Sequence, residues 1–502
     1  MRIWTGRAGS GKTTAILREI AALSEKGEGR QILLVPELNS HLMERRLAAA
    51  THNHGARTAE VLTFSRLADR VFSEVGGLAQ QMLTPAGQLL TLQEAARRVQ
   101  GGLSAWKGLA DKPELLQEAL RLIDECKTCA VAPETLFAAA EESEDAVLAE
   151  KLSDLAQILT AYERLCDESL PDPRDRLTHL RDRLAESHTL DGAAVYLDGF
   201  LGFTVQESAV VDAMLAAGVP LSAAVTCDTD YPEIFLTGCK TVQKLTRMAK
   251  HHNQTVERIE LGESKVARPE GLAALERESL LPVRTPQESA AGVRLYEAAS
   301  PFDECEHAAA YIRRKVRDEG ARCRDFVVAA RDIEPYSAFL AMAMARYDIP
   351  VFLAEKPDLL SRPPMALVTN ALEAVRNYFR YEDLFSCLKT GLAGLDWDEI
   401  DKLENYVLTW NIRGGAWERE WTEHPDGYGL SIDENAKAQL AELNTLRKRA
   451  IAPFSALREA LAGEQPAGDC VRALYAFLLA VDAPQRMTDR AAGHEQAGRL
   501  QL

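Results

Sequence analysis

The sequence predicts an α/β fold of two parallel-sheet lobes, each interrupted by a largely helical insertion. Three observations carry this. Short apolar runs alternate with helical patterns at the start of the chain, again after residue 190 and again after residue 290, which is the signature of βαβ units with right-handed crossovers. The runs are continuously apolar rather than alternating, as in strands covered on both faces. Between about residues 80 and 190, and from about 380 onward, only helical periodicity is found.

In order, the apolar run Ile3–Trp4 precedes a helical face of Ile16, Ile20 and Leu23. Gln31–Pro36 reads as a buried strand, Asn39–Ala50 as a helix and residues 51–57 as a polar loop. A strand at Val61–Thr63 then runs into the helix Phe64–Val71. The helical insertion carries Leu115, Leu116, Ala119, Leu120 and Leu122 on one pattern and Leu152, Leu155, Leu159 and Tyr162 on another. Strands resume at Ala193–Asp198 and Leu221–Cys227, and the charged, proline-containing residues 263–288 read as a connection. A second lobe is expected from Val293–Tyr296, with helices Phe302–Val316 and Tyr336–Arg346, strands Phe326–Ala330 and Pro350–Leu353, and a helix over Ala366–Asn377. Later helices are expected at Tyr381–Leu388, Asp398–Val407, Ala436–Ala450, Pro453–Leu461 and Val471–Val481. The expected domains are residues 1–80 with 190–285 (first lobe), 81–189 (its insertion), 286–378 (second lobe) and 379–502 (second insertion). The last residues end in a helical pattern without a cap, so the chain is expected to be the front part of a longer protein.

With 502 residues the chain exceeds one core, and 46% hydrophobic with 26% charged residues is an ordinary globular balance. No run of 18 apolar residues exists, so no membrane partner is expected. Nine scattered cysteines suit a reducing cytoplasm better than a disulfide framework. The net charge of −17 argues against a nucleic-acid-binding surface over the whole protein but leaves room for a local basic groove.

The chemistry begins at Gly6–Thr13, GRAGSGKT, which completes the pattern G-x-x-x-x-G-K-T between a strand and a helix. Gly6, Gly9 and Gly11 admit backbone angles closed to other residues, so that N–H groups, including those of Ser10, Thr13 and Thr14, converge on a phosphate at the helix N-terminus. Lys12 is expected to reach the outer phosphates of ATP, and the Thr13 hydroxyl to bind Mg2+. Such a site needs an acid at the end of a neighbouring strand, and Asp198, after Tyr196-Leu197, is the candidate second Mg2+ ligand. An Asp-Gly turn is its plainer reading. The next residue is Gly199, so the second acid that activates water in motor ATPases is missing, and weak or no hydrolysis is expected. No catalytic residue is assigned. Cys126 and Cys129 form a C-x-x-C pair, read as packing because a metal site needs more ligands. His52 and His54 are read as solvated.

Taken together, GRAGSGKT at Gly6–Thr13, LLVPE at Leu33–Glu37, TFSRLADRVF at Thr63–Phe72, YLDGFLGFTVQE at Tyr196–Glu207, VVAARD at Val327–Asp332, IPVFLAEK at 349–356, YEDLFSCLKTGL at Tyr381–Leu392 and LENYVLTWNIRGGAW at Leu403–Trp417 resemble AddB. AddB is the B-type component of the bacterial AddAB-type helicase–nuclease, related in its front half to the UvrD/Rep helicases. The resemblance covers essentially the whole chain. It implies two RecA-like P-loop lobes, a role in double-strand break repair, a heterodimer with an AddA-type motor, and contact with single- and double-stranded DNA. It also implies a degenerate motor that guides the 3′ strand and scans it for a Chi-like hotspot. The family's nuclease domain and iron–sulfur cluster belong to a part of the protein that is not visible in this sequence.

The residues matching the family's DNA contacts are Ser40, Phe64, Ser65, Arg66, Phe200 and Phe203, at the carboxyl edge of the sheet where ligands collect in parallel folds. For the phenylalanines, burial in the core is an equally open reading. The family pattern has Gln where this chain has Leu38 and Trp where it has Asp69, which puts base-specific reading in question. Arg331 matches an arginine that reaches the outermost phosphate in related motors, with a surface salt bridge as the alternative. Only five residues precede Gly6, so the upstream adenine grip of active relatives is expected to be missing. Two other functions stay open, an active UvrD-like 3′–5′ helicase and a non-helicase P-loop NTPase.

Overall fold

In a computed structural model the described residues are 1–51, 58–262, 264–278, 290–353, 359–360 and 362–496. They form two compact units, residues 1–295 and 296–502. His52 and His54 lie outside the described residues.

The first unit is built on six parallel strands: β1 (Arg2–Gly6), β2 (Arg30–Leu34), β3 (Ala59–Leu62), β4 (Ala193–Leu197), β5 (Leu221–Thr226) and β6 (Glu257–Glu260). Their order is β3-β2-β4-β5-β1-β6. In β1 the residue Ile3 faces one apolar layer and Trp4 the other, and Leu34 and Leu33 divide in the same way in β2. Both faces are therefore covered, which explains the continuous apolar runs. Helices α1 (Lys12–Lys26) and α2 (Ser40–Ala50) pack on the Trp4 face. Helix α3 (Phe64–Val75) and the helices Val205–Ala216 and Leu236–His251 pack on the Ile3 face.

β6 was not foreseen. Its sequence Glu-Arg-Ile-Glu carries a single apolar residue, and its charges suit the sheet edge it occupies. The stretch expected as a bare connection contains a helix, Glu270–Glu278.

The insertion between β3 and β4 has its own core, with Leu92, Ile123, Leu159 and Tyr162 fully or almost fully buried. Three of its helices start with proline at the first turn (Pro85, Pro113, Pro133), where the missing N–H costs nothing. Asp172 closes the insertion: one carboxylate oxygen accepts from Gln88 Nε2 at 2.8 Å and the other from the Tyr162 hydroxyl at 2.9 Å.

The second unit is helical among its described residues. The expected strands Phe326–Ala330 and Pro350–Leu353, and the one at Val293–Tyr296, carry no sheet pairing, so the second parallel sheet is not formed there. Strand composition is not sufficient: a strand exists only through its ladder to a neighbour, and the side chains of Val327 and Phe352 stand 90% exposed. Helices Pro301–Glu319 and Glu334–Arg346 share one small core. A larger one around the fully buried Trp417 and Phe454 joins the helices from Pro363 to Gln496. The two helices expected at 436–450 and 453–461 are one, Glu434–Ala460, running through Pro453. Among the described residues no helix is long and apolar enough to cross a membrane.

Candidate nucleotide site and DNA-facing edge

β1 delivers the chain into the loop Arg7–Gly11, and α1 begins at Lys12 with Gly11 as its left-handed N-cap. Gly9 sits at φ +79°, and a Cβ there would lie 2.5 Å from Ser264 Oγ. Glycine is thus required twice, by the backbone and by the close approach. Lys12 is nearly buried, and its ammonium donates to the carbonyls of Gly6 (2.7 Å) and Arg7 (2.8 Å). Burial lowers its pKa, and the nearby Asp198 partly offsets this. Asp198 leaves the end of β4 with its backbone N–H on Leu34 O at 3.1 Å. Burial raises its carboxyl pKa, opposed by hydrogen bonds from the Thr13 hydroxyl and the Gly199 N–H and by the charge of Lys12.

Among the described residues, two buried oxygens in this cradle have no protein partner, Asp198 Oδ2 and Ser10 Oγ. Buried polar atoms are nearly always paired, so such atoms beside a phosphate loop point to a ligand. The residues fit Mg2+ with nucleotide: a hard carboxylate and a hydroxyl already in contact, beside an ammonium and a helix N-terminus. Thr14 is exposed on the first turn of α1. Gly199 lies at φ +82°, and a Cβ there would meet Asn39 Nδ2 at 3.2 Å. The nearest acid further along that loop, Glu207, caps its own helix by accepting from the Thr204 N–H at 2.8 Å.

Sequence reasoning missed the segment after β6. Lys265 N–H donates to Gly9 O at 2.9 Å, and an Arg268 guanidinium nitrogen would lie 3.3 Å from a Gly9 Cβ while pairing with Glu276. No motif marks these residues. Arg7 was missed as well: it pairs with Asp228 at 2.6 Å and stacks over Tyr231, tying the loop to the end of β5.

Of the DNA candidates, Phe64, Phe200 and Phe203 form one aromatic run, with ring centroids 5.6 and 5.0 Å apart. Phe64 and Phe200 are buried in the core, and only Phe203 is half open. Ser65 and Arg66 are exposed on the first turn of α3, where the Thr63 hydroxyl accepts from the Arg66 N–H. The Arg66 guanidinium donates to Glu44 at 2.5 Å, beside a groove of about 620 Å³ along the open edge of β3. Ser40, one turn before Glu44, donates to Glu37 O. Leu38 is almost wholly exposed, and Asp69 pairs with Arg176. Arg331 lies exposed in the second unit. Cys126 packs in the insertion core, as expected, and Cys129 is exposed.

A family model described as "ADDB, N-terminal" matches residues 3–276, more than half the chain. The chain belongs to the AddB family. Curated relatives agree with this family assignment. The chain is 32% identical, over its whole length, to the B-type component of the ATP-dependent helicase/deoxyribonuclease of Acetivibrio thermocellus and to that of Desulforamulus reducens, covering 45% of each. It is 31% identical to that of Thermoanaerobacter sp. over 97% of the chain and 44% of the relative. It thus spans a little under half the length of these AddB-family relatives.

Proposed function

We propose that the chain is the nucleotide-binding, DNA-guiding front part of the AddB component of a cytoplasmic ATP-dependent helicase–nuclease that processes double-strand breaks for recombination. The observation that carries this is the Lys12–Thr13–Asp198 constellation, with its unpartnered buried carboxylate oxygen, in a chain of the AddB family. Gly6–Thr14 would hold the phosphates of ATP, and Thr13 and Asp198 would hold Mg2+, which would supply charge neutralisation at the phosphates. Hydrolysis is weak, because a left-handed Gly199 packed near Asn39 stands where an activating acid would follow Asp198.

The 3′ strand runs along the edge formed by Ser40, Phe64, Ser65, Arg66, Phe200 and Phe203, with Arg66 as a phosphate contact and Phe203 as the accessible ring. Leu38 and Asp69 do not reproduce the family's base-reading pair, so any Chi-like hotspot read here differs in sequence. The second unit carries the start of a second RecA-like lobe, whose strand-like segments around Val327 and Phe352 stand exposed. The motor is an AddA-type partner. The nuclease centre and an iron–sulfur cluster belong to the part of the relatives this chain does not span.

The test is binding of a fluorescent ATP analogue with Mg2+, together with phosphate release with and without single-stranded DNA. Saturable binding abolished by Lys12→Ala, with negligible turnover, is the expected result. Absent binding refutes the nucleotide site, and motor-like turnover refutes the degenerate reading.

A further inference from the structure

A second chemical feature lies directly against the phosphate loop and plays no part in the reading above. Cys227, the residue after β5, and Cys239, in the first turn of the helix Leu236–His251, hold their sulfurs 3.0 Å apart. Their proximity is built by the backbone. Gly238 lies so close to the end of β5 that a Cβ there would overlap Thr226 O and fall 3.4 Å from the Cys227 Cα. Only glycine lets the helix press onto the strand in this way, and the next residue is Cys239. Both thiols are free.

Cys227 is also tied to the nucleotide site. Its N–H donates to Gly6 O at 3.3 Å, and the following Asp228 pairs with Arg7 of the loop at 2.6 Å.

We propose that Cys227 and Cys239 form a reversible disulfide that switches the phosphate loop between binding states, with hydrogen peroxide as the class of oxidant. Cys239 is half-buried and meets the oxidant first, whereas Cys227 is buried beside it and is placed to resolve the sulfenic acid that Cys239 forms. The Cys239 thiolate attacks one peroxide oxygen, the O–O bond breaks, and hydroxide leaves and is protonated to water. The Cys227 sulfur then attacks the sulfenic sulfur and the S–O bond breaks. The departing hydroxide takes the Cys227 proton as a second water. Two thiols lose two electrons and one peroxide gains them; a dithiol reductant reverses the change.

Closing the sulfurs from 3.0 Å to about 2.05 Å draws the helix and the end of β5 together. The shift passes through Cys227 N–H and Asp228 to Gly6 and Arg7. A phosphate cradle depends on converging N–H groups, so nucleotide affinity falls on oxidation.

This inference rests on the nucleotide reading, and the experiment separates the two. The reduced full chain is treated with hydrogen peroxide, its cysteine peptides are mapped by mass spectrometry, and binding of the fluorescent ATP analogue with Mg2+ is measured before oxidation, after it and after dithiothreitol. The expected result is a 227–239 linkage with about tenfold weaker binding, restored by reductant. Cys239→Ser and Cys227→Ser should bind as the reduced chain and ignore peroxide, while Cys129→Ser should respond like the unaltered chain. No 227–239 linkage at a peroxide dose that oxidises the exposed Cys129 overturns the pair, and a linkage with unchanged affinity overturns the switch. No nucleotide binding by the reduced chain overturns the phosphate-loop reading and the switching claim with it, whereas the linkage is judged by mass alone.

Discussion

Asp198→Asn separates a metal ligand from a structural carboxylate. Asp198 is 3% exposed, one of its oxygens has no partner among the described residues, and its pKa is raised by burial. The apo protein therefore gains little from the ionised form, and asparagine keeps the shape and an acceptor for the Thr13 hydroxyl. Breaking a well-made buried ion pair costs about 3–5 kcal/mol. Here Lys12 keeps its two carbonyl acceptors, so the apo stability change should stay within about 1 kcal/mol, the size of a single net hydrogen bond. Affinity for nucleotide with Mg2+ should nevertheless fall about 10–100-fold, roughly 1.4–2.7 kcal/mol, the range found when groups supporting a metal are removed. The assays are urea unfolding of the apo chain and calorimetric titration of ATP with and without Mg2+. The pH dependence has a fixed sign. Metal needs the carboxylate, and the folded pKa lies above the ordinary value, so Mg2+-dependent affinity of the unaltered chain should decline on acidification earlier than for a normal aspartate. Unchanged Mg2+-dependent affinity in Asp198→Asn would refute the metal assignment. Loss of about 3 kcal/mol or more of apo stability would show a structural pair instead.

Gly199→Glu is expected to cost about 1–2 kcal/mol from its left-handed φ, plus crowding at Asn39, without creating turnover; phosphate release near about 10 per second would sink that argument. Arg66→Ala removes an exposed side chain paired with Glu44, so stability should move by less than about 1 kcal/mol. Its single-stranded DNA affinity should drop, with the salt slope shallower by about 0.7, and an unchanged slope in fluorescence anisotropy removes Arg66 from the DNA edge. Glu74 accepts from Ser187, the His188 N–H and Thr189, and these bonds hold its pKa at about 2, below the ordinary 4.5. A depressed carboxyl pKa stabilises above the unfolded value and loses that contribution as pH falls through the folded one. The difference in urea midpoint between wild type and Glu74→Gln should therefore be full at neutral pH and shrink below about pH 4.5; a pH-independent difference would refute the linkage.

What could be read in the sequence follows from burial. β1, β2, β4 and β5 are central strands whose runs are apolar on both faces, so composition alone locates them. β6 escapes because an edge strand needs few apolar residues. The loop between β1 and α1, and the place of Asp198 after β4, were legible because both lie at the ends of central apolar strands. The packing of Ser264, Lys265 and Arg268 on Gly9 and the meeting of Cys227 with Cys239 are long-range consequences of strand order, and no local pattern encodes them. The second sheet has no ladder among the described residues, because Phe326–Ala330 has the composition of a strand but finds no paired neighbour there. The phenylalanines illustrate the limit of residue type: the same ring chemistry serves the core at Phe64 and Phe200 and an open face at Phe203.

A nucleotide site without turnover is physically coherent in this setting. The cradle buries Asp198 Oδ2 and Ser10 Oγ without partners among the described residues, each costing about 1–3 kcal/mol. A bound Mg2+–nucleotide would satisfy both, and at about a hundred times its dissociation constant it would add about 2.7 kcal/mol to the folded state. Asp198 lies two residues before Phe200, and Phe200 meets Phe64 edge-to-face at the start of α3, the helix that presents Ser65 and Arg66. On the proposed reading, fixing Asp198 through a metal would also hold the aromatic run and the turn of Ser65 and Arg66 behind it. Hydrolysis would release that constraint at every cycle, and on the proposed reading the left-handed Gly199, where an activating acid would follow, would leave it standing. On the proposed reading, the phosphate loop would serve as a ligand-dependent brace for the edge that carries Ser65 and Arg66.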